Sequence, residues 1–232
     1  MAYDFAAGEI LLINKPLDWT SFDVVKKVRN IIREKKVGHA GTLDPLATGL
    51  LILCTGKYTK RIDEIQGQEK EYTGTIILGK TTPSYDRETT ITETRDISHI
   101  TPEAIKAAAD SFVGTIEQIP PIYSAVMVDG KRAYDLARKG KAAELKPRTI
   151  TIKAFDITAI EGEVITFRVV CSKGTYIRSL AHDLGERLGC GAFLGSLERT
   201  RIGAYTLADA LTIEDVQQIR RQQLEEANGS NP

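Results

Sequence analysis

Asp44 stands in the stretch VGHAGTLDPLATGLLIL, residues 37–53, a carboxylate among glycines and small residues that run straight into an apolar segment. Two jobs suit an aspartate placed this way. One is structural, because Asp-Pro starts many turns and the side chain can fold back onto the turn or cap a helix. The other is chemical. Gly41 and Gly49, with the small residues Ala40, Thr42, Ala47 and Thr48, let a bulky ligand approach the backbone, and Pro45 holds the neighbour of the carboxylate rigid. An ionised aspartate so presented can attack a sugar carbon or a polarised ring, or act as a base. Tyr72, in EKEYTG at the mouth of a predicted strand, offers a ring that either fills core or gives a base a surface to stack on. Arg178, in CSKGTYIRSL, falls in the first turn of a predicted helix, where the helix dipole disfavours a cation. As a routine surface arginine it would need no partner. As a functional one it asks for an anion, and an aspartate would be held charged and oriented by it.

Other chemistries fail residue by residue. The P-loop register that puts Gly56 and Lys57 in place leaves Leu51 where a glycine is needed and Tyr58 where Ser or Thr is needed. There is no G-x-G-x-x-G between strand and helix, no G-x-S-x-G and no H-E-x-x-H. Cys54, Cys171 and Cys190 are widely spaced, without a C-x-x-C pair, and read as buried reduced thiols. His182 and Cys190 lack the further ligands a metal would require, so no metal is expected.

The elements that must position these residues can be read from pattern. ILLINKP is a buried strand stopped by Pro16. Thr20 and Asp23 form a capping-box pattern for a helix with Val25, Val28 and Ile32 on one face. A glycine-rich loop containing His39 and Asp44 follows, then strands LLILCTG and EYTGTIILGK. Thr101 and Pro102 open a helix that closes on Gly114. IPPIYSAVMVDGKRAYDLARKG cannot begin as a helix; it turns at Asp129-Gly130, becomes helical until Gly140, and reads as an excursion from the core. TITIKAFDITAI and VITFRVVC form a hairpin about a short acidic turn, TYIRSLAHDLGERLG a helix, RIGAYTL a strand, and TIEDVQQIRRQQLEEA a terminal helix. Without a regular βαβ rhythm, the expected class is α+β with a mixed, largely antiparallel sheet.

The 232 residues carry 31 basic and 31 acidic side chains, for no net charge. Taken alone, that balance argues against a nucleic-acid partner. The charges are segregated, however: residues 26–36 hold six basic side chains against Glu34, and residues 131–148 hold seven against Asp135 and Glu144. No apolar run reaches the roughly 18 residues of a membrane span and the start lacks a basic leader, so a cytoplasmic protein is expected.

Several ordered blocks together resemble the bacterial TruB-type tRNA pseudouridine synthases. They are KP and TS within residues 15–21, GHAGTLDPLATGLL, EYTG followed by LG and Asp86, QIPPIYSAVMVDGKRAYDLARKG, KPR, and CSKGTYIRSLAHDLGERLGCGAFLGSLERT. The likeness spans about residues 8–215. It implies the pseudouridine synthase fold, with a mixed, largely antiparallel sheet flanked by helices and an inserted thumb over about 120–148. It also implies isomerisation of the T-loop uridine at tRNA position 55 without cofactor or metal.

By resemblance, Asp44 is the catalytic aspartate, Tyr72 the aromatic that stacks on the target base, and Arg178 the partner of Asp44. Leu197 looks like an apolar pocket residue, Asp86 like a second acidic position near the arginine, and His39 like a contact to the T-loop. Lys15 and Tyr176 also fall in matched blocks and are expected at the RNA, as are Lys131, Arg132, Lys139 and Lys141 of the thumb.

Two departures stand out. Asp18 replaces a usual glycine in KPLDWTS, and the chain stops after TIEDVQQIRRQQLEEANGSNP. Many relatives carry a C-terminal PUA domain there. The expectation is therefore one catalytic domain over 1–212, with a helix and tail over 213–232, acting as a monomer that relies on the T-arm. Two other readings use the same residues. An RNA-binding helper would not need Asp44, and a hydrolytic nucleosidase would need a second carboxylate and would release uracil.

Overall fold

The computed structural model describes residues 3–124, 126–128, 130–134 and 145–229. The first half of the chain forms β1 (Ile10–Lys15), α1 (Ser21–Ile32), β2 (Val37–Ala40), β3 (Ala47–Thr55), a 3-10 turn over Gly56–Arg61, α2 (Ile62–Gln66), β4 (Lys70–Leu78), β5 (Lys80–Thr81), β6 (Glu93–Thr94), α3 (Pro102–Asp110) and β7 (Gly114–Gln118). The remainder forms β8 (Met127–Val128), β9 (Lys131–Arg132), β10 (Arg148–Glu161), β11 (Val164–Cys171), α4 (Ile177–Arg187), β12 (Ala192–Ile202), β13 (Tyr205–Thr206) and α5 (Ile213–Gly229). The class is α+β with mostly antiparallel pairing. Two compact units divide the chain: Met1–Lys70 with Glu198–Pro232, and Glu71–Leu197.

In the first unit β3 is the central strand. β1 lies antiparallel on one edge, with Ile13 opposite Leu51 and Lys15 opposite Gly49, and β2 on the other, with His39 opposite Leu53. Successive side chains of a strand point to opposite faces. Leu51 and Leu53 pack with Val24, Val25, Val28 and Ile32 of α1 and with Ile213 and Val216 of α5. Leu50, Ile52 and Cys54 pack with Ala40, Ile65 and Ile202. Both faces are covered, which is why β3 reads as an unbroken apolar run. Each such leucine or isoleucine contributes about 2 kcal/mol of burial. The Thr20 hydroxyl accepts from Asp23 N at 3.0 Å and the Asp23 carboxylate from Thr20 N at 2.9 Å, completing the capping box of α1. Thr212 and Asp215 do the same for α5.

In the second unit the strand order is β12-β4-β11-β10-β7. β10 pairs with β11 over most of its length and with β7 over Arg148–Ile152. The β10–β11 hairpin turns at Gly162, with φ +59. Phe155 is buried between Phe112 and Phe167, whose ring centroids lie 6.4 and 6.0 Å away.

The structure corrects several readings. Residues 37–40, expected in a loop, form β2, because β3 offers a free edge that pattern alone does not reveal. The helix after Thr101 ends at Asp110, and Gly114 instead begins β7 with φ +123. The terminal RIGAYTL segment is two strands, the end of β12 and β13, paired across a turn at Gly203-Ala204. In the excursion, β8 and β9 pair with Met127 opposite Arg132 and Gly130 lies between them, while Asp129 of the expected turn lies outside the described residues. Ala133 and Tyr134 begin the helical stretch, and its continuation to Gly140 lies outside the described residues.

Candidate active site

Asp44 opens a β-turn in the first unit. Its carbonyl accepts Ala47 N at 3.0 Å, Pro45 occupies the second position, and its side chain is half-buried. Three buried side chains hold this turn and the residues before it. Lys15, fully buried at the end of β1, donates from Nζ to the carbonyls of Trp19 at 2.5 Å, Pro16 at 2.9 Å and Pro45 at 3.3 Å. Ser21, the first residue of α1, donates to Leu43 O at 3.2 Å and accepts Leu43 N at 2.9 Å. Arg199, 1% exposed, donates from Nε to Leu50 O at 2.8 Å, from Nη2 to Gly41 O at 3.0 Å and from Nη1 to Thr42 O at 3.5 Å. Asp18 N also donates to Pro45 O, at 2.9 Å, from a left-handed backbone with φ 63 that the usual glycine would adopt without strain.

The loop is thus fixed through its main-chain groups. Burial pushes the Lys15 ammonium down to about 8, and the charges of Asp44 and then Asp18 pull it back up. Gly49 explains how Arg199 comes so near. It has φ +97, and a Cβ there would stand 2.4 Å from Arg199 O. His39 lies on β2 rather than in a loop. Its Nδ1 is shut off from solvent with no hydrogen-bond partner, and burial, then the Arg199 charge, lowers its pKa, so the ring is neutral at physiological pH.

The second unit builds around the start of α4. Gln118, at the end of β7, accepts Tyr176 N at 2.8 Å and donates to Tyr176 O at 3.1 Å, and Ser179 Oγ donates to Ile119 O at 2.7 Å. These clamps fix the first turn, where Arg178 lies buried. Its Nη1 donates to Tyr123 O at 2.9 Å and Ser84 O at 3.4 Å, and its Nε stands 3.7 Å from the Asp86 carboxylate. Asp86 is itself buried and accepts Glu88 N at 2.9 Å. A buried guanidinium is tolerated only with such compensation. Within this unit, the anion near Arg178 is Asp86.

Tyr72 is buried on β4, and Leu197 is half-buried on β12. The strands close tightly beside them: a Cβ at Gly74 would come within 2.2 Å of Ser196 O and 3.2 Å of Leu197 Cα. Tyr176, half-buried, is the N-cap residue of α4. Lys131 and Arg132 form β9, of which only the backbone is described, and Lys139 and Lys141 lie outside the described residues. Ser21, Gln118 and Arg199 fall within the matched blocks TS, QIPPIY and SLERT, but the sequence assigned them no role, because their partners are main-chain groups contributed by distant segments. Among the described residues no cluster of three or more His, Cys, Asp or Glu could hold a metal, and no helix is long and apolar enough to cross a membrane.

Comparison with known proteins agrees across the chain. The model of the TruB family pseudouridylate synthase N-terminal domain matches residues 29–177, and that of the tRNA pseudouridylate synthase B C-terminal domain matches 178–228. The tRNA pseudouridine synthase B of Parabacteroides distasonis is 56% identical over 219 residues, covering 92% of this chain and 93% of its own. That of Bacteroides thetaiotaomicron is 52% identical over 239 residues, covering 98% and 100%. Among solved structures, a Cbf5-Nop10-Gar1 complex matches with a TM-score of 0.74 at 29% identity, covering 97% of this chain and 57% of the matched one. An archaeal box H/ACA sRNP Nop10-Cbf5 complex matches at 0.71 and 26%, covering 96% and 57%.

Proposed function

The chain belongs to the TruB family of pseudouridylate synthases, and from that premise we propose that it isomerises the T-loop uridine at position 55 of tRNA, with Asp44 as the catalytic carboxylate. The reaction breaks the N1–C1′ bond, turns the uracil, joins C5 to C1′ and moves a proton from C5 to N1. No atom or electron is gained or lost, so no cofactor is called for. Whether the aspartate engages the sugar carbon, the ring or a sugar proton, it must be ionised and held still. The observation that carries this reading is the stapled turn: buried Lys15, Ser21 and Arg199 fix the backbone around Asp44 while its side chain stays half-buried.

A uridine stacked in the T-loop must be everted first, at a cost of a few kcal/mol. In this reading His39 and Tyr176 contact the opened loop, Tyr72 stacks on the flipped base, and Leu197 lines its pocket. Arg178, steadied by Asp86, pairs with Asp44. Lys15 acts through the turn it holds, and Lys131, Arg132, Lys139 and Lys141 of the thumb meet phosphates. The protein works as a cytoplasmic monomer. It reads the shape of the T-arm, which needs little uniform positive charge and suits a neutral chain.

The test is to incubate T-arm RNA and full-length tRNA with the protein and map pseudouridine. Asp44→Asn should abolish product while leaving binding within about tenfold, because the carboxylate contributes chemistry and little uniform binding. Product at the normal rate from that variant would remove Asp44 from its role. Free uracil and an abasic site would instead mark a hydrolase. Full-length tRNA binding far more tightly than the hairpin would contradict reliance on the T-arm.

A further inference from the structure

Tyr85 has a left-handed backbone, φ 63, a conformation in which a bulky residue is strained. Strain of this kind persists only where the surroundings enforce it. Here the Tyr85 N–H donates to Thr82 O at 3.1 Å, its carbonyl accepts Leu194 N at 2.9 Å, and its ring lies flat on His182, with centroids 3.9 Å apart and planes 9° from parallel. The residues on either side both touch the buried arginine, Ser84 through its carbonyl and Asp86 through its carboxylate.

Arg178 and His182 are four residues apart on α4 and therefore share a face. That face holds the 82–86 turn at two points, polar at Arg178 and aromatic one helical turn later. His182 Nδ1 is buried without a hydrogen-bond partner, so that nitrogen does not anchor the ring. Burial lowers the pKa of the imidazole, which keeps it neutral, with an uncharged face to offer.

We propose that the Tyr85–His182 stack is a positioning clamp for the Asp86–Arg178 pair, setting where the guanidinium stands during pseudouridine formation. The proposal rests on the functional reading of Arg178 given above. Neither ring touches the reacting nucleotide in this scheme. Both act through the turn that carries Asp86.

The test is steady-state kinetics on tRNA for Tyr85→Gly, Tyr85→Phe, His182→Ala and His182→Phe, with thermal midpoints measured alongside and Asp44→Asn as reference. Tyr85→Gly keeps the left-handed backbone and deletes the ring, which separates the two contributions. Tyr85→Gly and His182→Ala should lower kcat about ten- to a hundredfold, the scale expected for a small misplacement, with KM within about twofold. The two phenylalanine variants, which preserve a stack, should stay within about threefold of the parent. Unchanged kcat in Tyr85→Gly and His182→Ala would overturn the clamp. So would phenylalanine variants as slow as the truncations, or a loss that only follows the fraction unfolded. An active Asp44→Asn variant would sink the reading beneath it. A dead Asp44→Asn with fully active stack variants would sink the clamp alone.

Discussion

Lys15 carries charge into the core of the first unit, where an ammonium survives because three carbonyls and a nearby carboxylate surround it. Its pKa of about 8 in the folded protein lies below the usual 10.5 that the unfolded chain keeps. Between those values the unfolded chain binds more protons, so stability rises as pH climbs through that window, and the cost of the buried charge is fully present below it. Lys15→Met should abolish this alkaline rise while taking the ammonium donor from the carbonyls of Pro16 and Trp19, at about 1–3 kcal/mol, whereas Pro45 O keeps its bond from Asp18 N. Urea melts of both proteins across that pH range, compared as a difference, check it. An unchanged rise in the variant would assign it to other groups. Arg199 does similar work with a fork of donors that a lysine could not reproduce. Nothing in SLERT distinguishes it from a surface arginine, since its partners at Gly41, Thr42 and Leu50 lie some 150 residues earlier.

At the scale of elements, caps and apolar periodicity were legible. Thr20 and Asp23, and Thr101 with Pro102, start helices where their chemistry demands, and the buried run of β3 is continuous. β2 and β12 were not. VGHA lacks a strand pattern and depends on the edge of β3, while AFLGSLERTRI mixes core and polar positions because β12 contributes residues to both units. The junction of β3 with β12 yields a prediction. Gly49→Ala combines a left-handed φ with a Cβ 2.4 Å from a carbonyl oxygen and should cost about 2–4 kcal/mol. Gly162→Ala, also left-handed but with nothing within 4 Å of its Cβ, should cost only about 1 kcal/mol. Chemical denaturation of both variants checks the contrast, and equal losses would mean that backbone conformation alone matters.

For the whole molecule, zero net charge conceals local excess. Lys26, Lys27, Arg33, Lys35 and Lys36 are exposed on and after α1, and shallow depressions lined by Asn30 run beside Lys26, Lys27, Arg29 and Arg33. Residues 131–148 supply the second basic run. Binding to tRNA should therefore weaken with salt. Neutralising Lys139 and Lys141 together should flatten the log-log slope by up to about one unit per lost phosphate contact. Filter binding over a salt series measures it, and an unchanged slope would make these side chains ordinary solvated surface.

The sequence by itself determined the family, the class of chemistry and the helices that begin with their own caps. Each of those is written in residues that are adjacent or a fixed few positions apart. Only the tertiary structure decided how the Asp44 turn is stapled, that His39 sits on a strand, and that Tyr85 is forced left-handed against His182. Those contacts join residues remote in sequence, and many run through main-chain carbonyls, which every residue carries alike and no composition or motif can mark.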